Sequence, residues 1–204
     1  DAYLPGAEAL VSSLLKTKTR REVVVMVTPN VGAASRVKLQ RRAKVVEVAP
    51  IAAPHEASGF TSWAGSGYTK LRLWEQAAYG KIVYVDADAV VLEAVDELFE
   101  LDVDFAAAPD IFPPDKFNAG VLVVKPDLAV FHDMLKKVPT LKSHDSGDTG
   151  FLNAFFHDWY ERGPNARLPF RYNAQRTMHW MTHDREPGYW DIVKPIKVLH
   201  FSSS

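Results

Sequence analysis

Strand-like and helix-like patterns alternate along the chain, and this alternation is the feature that most restricts its fold. In the first half the pattern predicts, in order, a helix over Gly6–Lys16, a strand over Glu22–Thr28, a helix over Ala33–Ala43, a strand over Lys44–Val48, a helix over Tyr68–Ala78 and a strand over Lys81–Val85. In the second half it predicts a strand near Asp104–Ala107 that ends at Pro109, a strand over Phe117–Val124, a helix from Pro126 to Lys137, a helix from Asp148 carrying Phe151 to Trp159, and a closing strand over Lys197–Phe201. Such alternation is typical of α/β proteins.

The length and the apolar fraction are those of one folded domain. A chain of 204 residues with 47% apolar side chains can bury one substantial core. We find no internal repeat, low-complexity tract or Pro/Gly/Ser linker that would divide it. We therefore expect a single Rossmann-like α/β domain over residues 1–204, whose first half resembles a nucleotide-binding sheet.

The composition excludes several classes of partner and site. With 24 basic and 25 acidic side chains, the chain has no bulk positive charge to attract nucleic acid or an anionic membrane. It contains no cysteine, so a metal would have to be held by oxygen or imidazole ligands. No stretch is apolar for long enough to span a bilayer, and no Asn-x-Ser/Thr acceptor is present, which favours a cytoplasmic location.

Two aspartates stand where a strand ends. In Val83-Tyr84-Val85-Asp86-Ala87-Asp88 the strand delivers both carboxylates to its carboxyl end, the edge at which open α/β sheets bind ligands. Because side chains alternate along an extended chain, Asp86 and Asp88 lie on the same side and repel each other unless a cation or a hydrogen-bond network lies between them. Mg²⁺ or Mn²⁺ bound to phosphate oxygens fits this place.

Two other interpretations of the pair remain open at this point. Both aspartates could simply belong to a turn that caps the next element. Alternatively, Asp86 could be the nucleophile of an aspartyl-phosphate phosphatase. That second pattern requires another acidic residue soon after Asp148, whereas the chain continues with Thr149, Gly150, Phe151, Leu152 and Asn153.

Motifs along nearly the whole chain resemble glycosyltransferase family 8, the family of glycogenin-like enzymes. The matching stretches are Asp1-Ala2-Tyr3 with Gly6, Thr28-Pro29, Thr69-Lys70-Leu71, Tyr84 to Asp88, Ala107 to Asp110, Phe117 to Val121, Gly147 to Asn153, Leu168-Pro169-Phe170, Tyr172-Asn173 and Val198 to Phe201. The resemblance implies a GT-A fold that binds a UDP-sugar with Mn²⁺, or Mg²⁺, and transfers a hexose with retention of configuration. It makes residues 1–108 mainly the nucleotide-binding half and 109–204 mainly the sugar and acceptor half.

The resemblance also assigns roles to single residues. It makes Asp86, Asp88 and His200 the metal ligands, and it makes Asp148, Asp145 and Lys70 the candidate catalytic residues. The residues that it implies in nucleotide-sugar binding are Tyr3, which would stack on the base, Lys70, Ala87, Asn118, Ala119, Asp145, Asp148 and Thr149. Without the resemblance, a lone His200 is usually a packed or surface histidine, and Asp145 and Asp148 fit an Asx turn and a helix cap.

Departures from the family pattern refine these expectations. Thr149 stands where glycogenin has glutamine, so the contacts to the donor sugar are expected to differ. The stretch from Arg176 to Thr182 lacks the tyrosine that glycogenin glucosylates on itself. The resemblance also implies a further strand before Asp1 and diphosphate-binding residues after Ser204.

The expected partners are a UDP-sugar, with glucose as the first candidate sugar, and a carbohydrate, lipid or protein acceptor. The resemblance also admits a homodimer. A domain that binds nucleotide-sugars without transferring them is the rival interpretation.

Overall fold

The fold of the first half follows the predicted alternation of helices and strands. The computed structural model describes residues 2–54 and 67–202. Its first-half elements are α1 (Leu4–Lys16), β1 (Val24–Val27), α2 (Ala33–Gln40), β2 (Lys44–Glu47), a 3-10 helix (Tyr68–Leu73), β3 (Ile82–Val85), β4 (Ala89–Val91) and a second 3-10 helix (Asp96–Glu100). Pro5 lies in the first turn of α1. A backbone N–H at that position would have no partner within the helix, so proline, which has none, suits the start of a helix.

The second half adds the longest strand and the helices that cover it. Its elements are β5 (Phe105–Pro109), β6 (Phe117–Val124), α3 (Leu128–Lys137), α4 (Asp148–Phe155), β7 (Ala174–Gln175), α5 (Arg176–Thr182), α6 (Tyr189–Ile192) and β8 (Val198–His200), with short 3-10 turns between α4 and β7. Asp127 caps α3 by accepting hydrogen bonds from the backbone N–H groups of Ala129 and Val130. Within the described ranges no helix is long and apolar enough to cross a membrane.

The strands of the described residues form three sheets. β1 and β2 pair in parallel, and β3, β6 and β5 form an antiparallel sheet in that order. The third sheet has the order β4-β8-β7, in which β8 runs antiparallel to β4 and parallel to β7. The mixed pairing agrees with the predicted α/β class and places the ends of β3 and β8 close together.

The sheet of β3, β6 and β5 is buried on both faces. Phe105 and Ala107 of β5 face one hydrophobic cluster, which also contains Trp74, Phe131 and Phe151. The alternate residues Ala106 and Ala108 face a second cluster, which also contains residues of α1, β4 and β8. Burial on both faces explains why β6 is a continuous apolar run rather than an alternating one.

A cavity of about 870 Å³ lies between β1, β3 and α1 in the first half of the chain. Its walls include residues of β1, β3 and α1, and one end reaches Asp86 and Asp88. Among the described residues, β1 pairs only with β2, and β3 pairs only with β6. The cavity therefore lies between the edges of β1 and β3 with which no described strand pairs, and one end of it is at Asp86 and Asp88.

The predicted helices differ from the structure in type or extent. The one expected over Gly6–Lys16 begins at Leu4, and the one expected over Ala33–Ala43 ends at Gln40. The expected helix over Tyr68–Ala78 is a 3-10 helix over Tyr68–Leu73 followed by turns, because apolar residues three apart suit either helix type. The helix from Asp148 ends at Phe155, where the backbone leaves helical angles at Phe156, so Trp159 lies in a 3-10 turn. Pro126 precedes the Asp127 cap rather than forming the first turn of α3.

Candidate active site

The turn after β3 holds Asp86 and Asp88 in fixed backbone positions. The N–H of Asp86 donates to the carbonyl of Gly120 on β6 at 2.8 Å, and the N–H of Ala89 donates back to the carbonyl of Asp86 at 3.1 Å. On the other side the chain packs against α1, where a Cβ added to Gly6 would lie 2.4 Å from the carbonyl oxygen of Ala87. Two neighbouring elements therefore set where the carboxylates point.

His200 reaches the aspartates because β8 pairs with β4, the strand that begins directly after Asp88. Ala89 lies opposite His200 in the pairing, and the N–H of Phe201 donates to the carbonyl of Asp88 at 2.9 Å. The imidazole is 3% exposed, and its Nε2 lies 3.2 Å from Oδ1 of Asp88. Pairing between strands thus brings together residues more than a hundred positions apart in sequence.

These three side chains fit a divalent metal ion. One ligand atom from each of Asp86, Asp88 and His200 lies within 4.8 Å of the others. Two carboxylates and one imidazole are ligands that Mn²⁺ accepts, and a protein shell of three leaves positions for phosphate oxygens or water. The predicted metal-binding residues are therefore close enough to share an ion.

Lys70 lies between Asp86, at one end of the cavity, and Asp148. Its ammonium lies 2.5 Å from Oδ2 of Asp148 and 3.1 Å from Oδ1 of Asp86, and it donates to the carbonyl of Ala119 at 3.0 Å. Burial lowers the pKa of this ammonium, but the negative charges of Asp148 and Asp86 outweigh burial and hold the pKa well above its usual value. Lys70 is therefore a fixed positive charge at the centre of the site.

The two metal-side carboxyls differ in their electrostatic surroundings. Burial raises the pKa of Asp86, and the negative charge of Asp148 adds to this, while Lys70 opposes it. Burial also acts to raise the pKa of Asp88, yet the hydrogen bond and charge of His200 outweigh it and hold that pKa below its usual value. Asp88 is thus the carboxylate that ionises more readily, and Asp86 is the one that a second cation would stabilise most.

The predicted sugar-side residues come from the start of β6 and the start of α4. Asn118 and Ala119 begin β6, and the N–H of Ala119 donates to Oγ1 of Thr149 at 3.3 Å. Asp148 is the first residue of α4, and its side chain is closely packed, since a Cβ added to Gly67 would lie 2.7 Å from its Oδ1. These residues border the same end of the site as Lys70.

Asp145 has structural contacts of its own. Its Oδ1 accepts hydrogen bonds from the hydroxyl of Ser143 at 2.7 Å and from the N–H groups of Gly147 and Gly150 at 2.8 and 2.9 Å. This oxygen therefore shapes the loop that leads into α4, as an Asx-type turn does. The contact expected between Asp145 and a sugar stays a prediction. Because Oδ1 already accepts these three hydrogen bonds, Oδ2 is the atom that would contact the sugar.

Tyr3 and Ala87, two of the residues predicted to contact the nucleotide-sugar, lie beside the cavity. Both are among the residues that line it, together with Lys70, Asp86, Asp88 and Asp148. The ring of Tyr3 is 60% exposed at the start of α1, so one face is accessible to a flat ligand.

The sequence patterns assigned no role to two residues that the structure brings into the site. The hydroxyl of Tyr84 donates to Oδ1 of Asp86 at 2.5 Å, and its position two residues earlier on the same strand face was the available signal. Oδ1 of Asn173 lies 2.8 Å from Nδ1 of His200. No periodicity marks Asn173, because its contacts depend on the pairing of β7 with β8.

Comparison with known proteins shows the family of the chain. The family model described as glycosyl transferase family 8 matches residues 1–204. Glycogenin from Neurospora crassa is 37% identical over 209 residues, which cover 100% of this chain and 29% of that protein. Inositol phosphorylceramide glucuronosyltransferase 1 from Arabidopsis thaliana is 34% identical over 169 residues, covering 82% of this chain and 30% of that protein.

A solved structure supports the fold. The apo structure of the bifunctional glycosyltransferase WbbM superimposes with a TM-score of 0.71 at 18% identity, covering 100% of this chain and 44% of that one. The predicted GT-A fold is confirmed at this level. The chain spans less than a third of the length of either curated relative described above. With the family model matching residues 1–204, the chain belongs to glycosyltransferase family 8.

Proposed function

We propose that this domain transfers a hexose from a UDP-sugar to an acceptor, with retention of configuration and with Mn²⁺ or Mg²⁺ as its metal. The observation that carries the proposal is the convergence of Asp86, Asp88 and His200 within 4.8 Å beside Lys70, at the end of a cavity that Tyr3 also lines. In this proposal residues 1–108 bind mainly the nucleotide, and residues 109–204 bind mainly the sugar and the acceptor.

Breaking the bond between the anomeric carbon and the diphosphate places negative charge on the leaving group. A metal ion held by Asp86, Asp88 and His200 would act as a Lewis acid on the phosphate oxygens. Lys70 supplies a second positive charge, preorganised because Asp148, Asp86 and the carbonyl of Ala119 already hold its ammonium in place. Tyr3 would hold the base by stacking at the other end of the nucleotide.

The sugar requires stabilisation of positive charge at the anomeric carbon. Asp148 is our candidate for the nearest carboxylate, because its Oδ2 lies 2.5 Å from the ammonium that would face the leaving group. Asn118, Ala119, Thr149 and Asp145 would hold the sugar hydroxyls. Retention requires either a carboxylate nucleophile on the opposite face or attack by the acceptor on the face of the departing phosphate, and Asp148 is compatible with both.

Glucose is the first sugar to test, since the family resemblance points to it. The name of the plant relative describes a glucuronosyltransferase, so the donor sugar varies among similar proteins. Thr149 has a short hydroxyl side chain at the sugar end and is our candidate for a residue that selects the donor. The acceptor class, a carbohydrate, a lipid or a protein, follows from a separate screen.

The direct experiment measures release of UDP. The protein is incubated with UDP-glucose, UDP-galactose, UDP-glucuronic acid and UDP-N-acetylglucosamine, each with and without Mn²⁺, and UDP is followed by mass spectrometry. We expect release from at least one donor only when Mn²⁺ is present, and loss of that release in Asp86→Asn and Asp88→Asn. Glu93→Gln, which changes a carboxyl outside the site, serves as the matched control.

Two outcomes would contradict the proposal. Binding of UDP-sugars without UDP release, even when acceptors are supplied, would indicate a domain that only binds nucleotide-sugars. Release of inorganic phosphate from phosphomonoesters, abolished in Asp86→Asn, would indicate an aspartyl-phosphate phosphatase instead.

A further inference from the structure

Asn173 lies between the metal-binding histidine and the sugar-side end of β6. It is 0% exposed. Its Nδ2 donates to Oδ1 of Asn118 at 2.9 Å, and its Oδ1 lies 2.8 Å from Nδ1 of His200. One buried amide therefore contacts a residue on each side of the site.

The backbone of Gly120 fixes the orientation of both amides. The oxygen and nitrogen of an Asn amide are hard to tell apart by shape alone, so the direction of each hydrogen bond must follow from its partners. A backbone N–H can only donate, and the N–H of Gly120 lies 2.9 Å from Oδ1 of Asn118, which must therefore be the acceptor oxygen. The atom of Asn173 facing that oxygen must be its NH₂ group, and this leaves the oxygen of Asn173 facing His200.

The same reasoning extends to the imidazole. An amide oxygen can only accept, so Nδ1 of His200 must carry a proton to make the contact at 2.8 Å. In a neutral imidazole the other nitrogen, Nε2, then has its lone pair free. Nε2 lies 3.2 Å from Oδ1 of Asp88, on the side where the carboxylates converge. When the ring carries both protons, Nε2 donates to Asp88, and a metal ion bound there would take the place of that proton.

We propose that Asn173 is a positioning residue that holds His200 in the tautomer protonated on Nδ1, so that Nε2 is the metal ligand, and that it couples this ligand to Asn118. The proposal rests on the proposed function, since it assumes that the three converging side chains bind a metal. Hydrogen bonds from the second nitrogen of a metal-binding histidine fix ring orientation in this way, and their loss typically weakens metal binding by about 10–100-fold.

The packing of the ring leaves little room for another arrangement. A Cβ added to Gly120 would lie 2.2 Å from Cε1 and 2.5 Å from Nδ1 of His200, so the ring lies directly on the Gly120 backbone. The ring is held by this contact on one face and by Asn173 at its edge. Asn173 therefore controls which nitrogen is protonated more than where the ring lies.

The first test compares three variants by their affinity for Mn²⁺, measured from the electron paramagnetic resonance signal of free Mn²⁺. Asn173→Leu removes the acceptor, and we expect its dissociation constant to rise about 10–100-fold. Asn173→Asp keeps an acceptor towards Nδ1 and should bind Mn²⁺ no more weakly than the wild type. Asn153→Leu is the matched control, because Asn153 is also a buried amide but bonds the backbone of Phe117, and it should lower thermal stability without weakening Mn²⁺ binding.

The second test reads the tautomer directly. In ¹⁵N-labelled, metal-free protein at a pH where the ring is neutral, long-range ¹H–¹⁵N correlation spectra should show the proton of His200 on Nδ1. A proton on Nε2 in the wild type would overturn the proposal, whether or not Asn173→Leu folds. Unchanged Mn²⁺ affinity in a folded Asn173→Leu variant would also overturn it while leaving the proposed function intact. Failure of the wild type to bind Mn²⁺ would instead contradict the proposed metal site.

Discussion

At the scale of single residues, Lys70 combines a structural role with the catalytic role that we propose for it. Its side chain is 7% exposed, and its ammonium separates two carboxylates that would otherwise repel each other. A buried cation between two carboxylates contributes little net stability, because desolvation offsets attraction, but removing it leaves the carboxylates unpaired. The stability of the folded protein therefore depends strongly on the charge of this one side chain.

We predict that Lys70→Met lowers the free energy of unfolding by about 3–5 kcal/mol at pH 7. Because the pKa of Lys70 is raised by folding, its charge contributes its full stabilisation below the pKa that Lys70 has in the unfolded chain. This stabilisation is lost only as the pH rises through the higher pKa of Lys70 in the folded state, so it is fully present at neutral pH. In the variant, the cost should shrink as the pH falls, because the pKa of Asp86 is raised and protonation removes the unpaired charge of that carboxylate. Urea unfolding at several pH values measures this.

The control for Lys70 is Lys125→Met. Lys125 pairs with Asp104 at 3.3 Å, but the two side chains are 62% and 81% exposed. Exposed pairs contribute about 0–1 kcal/mol, so this variant should unfold almost as the wild type does. A loss in Lys70→Met that does not vary with pH would show that packing, rather than charge, causes the effect.

Gly120 provides a steric test of the same site. A Cβ there would approach His200 to 2.2 Å, so we predict that Gly120→Ala displaces the imidazole, weakens Mn²⁺ binding and lowers the free energy of unfolding by about 1–3 kcal/mol. Gly80→Ala is the control, since nothing lies within 4 Å of its added Cβ. Mn²⁺ titration and thermal unfolding of both variants check this, and equal Mn²⁺ affinity in the two would contradict it.

At the scale of elements, the position of β8 determines where His200 lies. Glu97, in the second 3-10 helix, accepts a hydrogen bond from the hydroxyl of Tyr172 at 2.8 Å and forms an ion pair with Lys197, the residue before β8. Burial acts to raise the pKa of Glu97, but the hydrogen bonds from Lys197 and Tyr172 outweigh it and hold the pKa below its usual value. This contact tethers the strand that carries His200, the metal ligand that we propose.

We predict that Glu97→Gln lowers the free energy of unfolding by about 0.5–1 kcal/mol at pH 7, a small effect because the glutamate side chain is 45% exposed. A lowered pKa contributes stability above the pKa of the unfolded chain, and that contribution is lost as pH falls through the folded value. The unfolding curves of variant and wild type should therefore converge below about pH 4. A difference that persists at pH 3 would contradict this account.

The sequence predicted strands better than it predicted helix types. β3 and β6 were predictable because long apolar runs that end at Asp86 or begin at Phe117 have few alternatives. β4 has only three residues and follows a turn, so no periodicity could reveal it. The 3-10 helix at Tyr68–Leu73 has the same local apolar spacing as an α-helix, and only its tertiary contacts distinguish the two.

The residues of the candidate site also differed in how far the sequence could predict them. The end of β3 made Asp86 and Asp88 candidates for a metal site, but the pattern alone left a capping turn and a phosphatase nucleophile as alternatives. His200 required the family resemblance, since nothing in its local pattern separates a metal ligand from a packed histidine. Asn173 and Tyr84 act through side-chain hydrogen bonds between or along strands, which depend on distances that a pattern does not contain.

At the scale of the whole molecule, the site lies where separate sheets meet. Asp86 follows β3 of one sheet and His200 belongs to β8 of another, while the cavity that reaches them is walled by β1 and α1. A nucleotide bound there with a metal would contact β1, β3 and α1 together. Ligand binding should therefore stabilise the whole domain rather than one loop.

We predict that the UDP–Mn²⁺ complex, at about 100 times its dissociation constant, stabilises the protein by about 2.7 kcal/mol, a rise in melting temperature of about 5–10 °C. UDP alone should give a smaller rise, because the diphosphate then meets Lys70 but no metal ion. Asp88→Asn should lose the part that depends on Mn²⁺, and Tyr3→Ala should lose part of the rise due to UDP, since stacking on the base would be gone. Differential scanning fluorimetry with chelator controls measures each shift. If GDP with Mn²⁺ raised the melting temperature as much as UDP with Mn²⁺, the cavity would not select uracil, and the proposed donor class would have to be broadened.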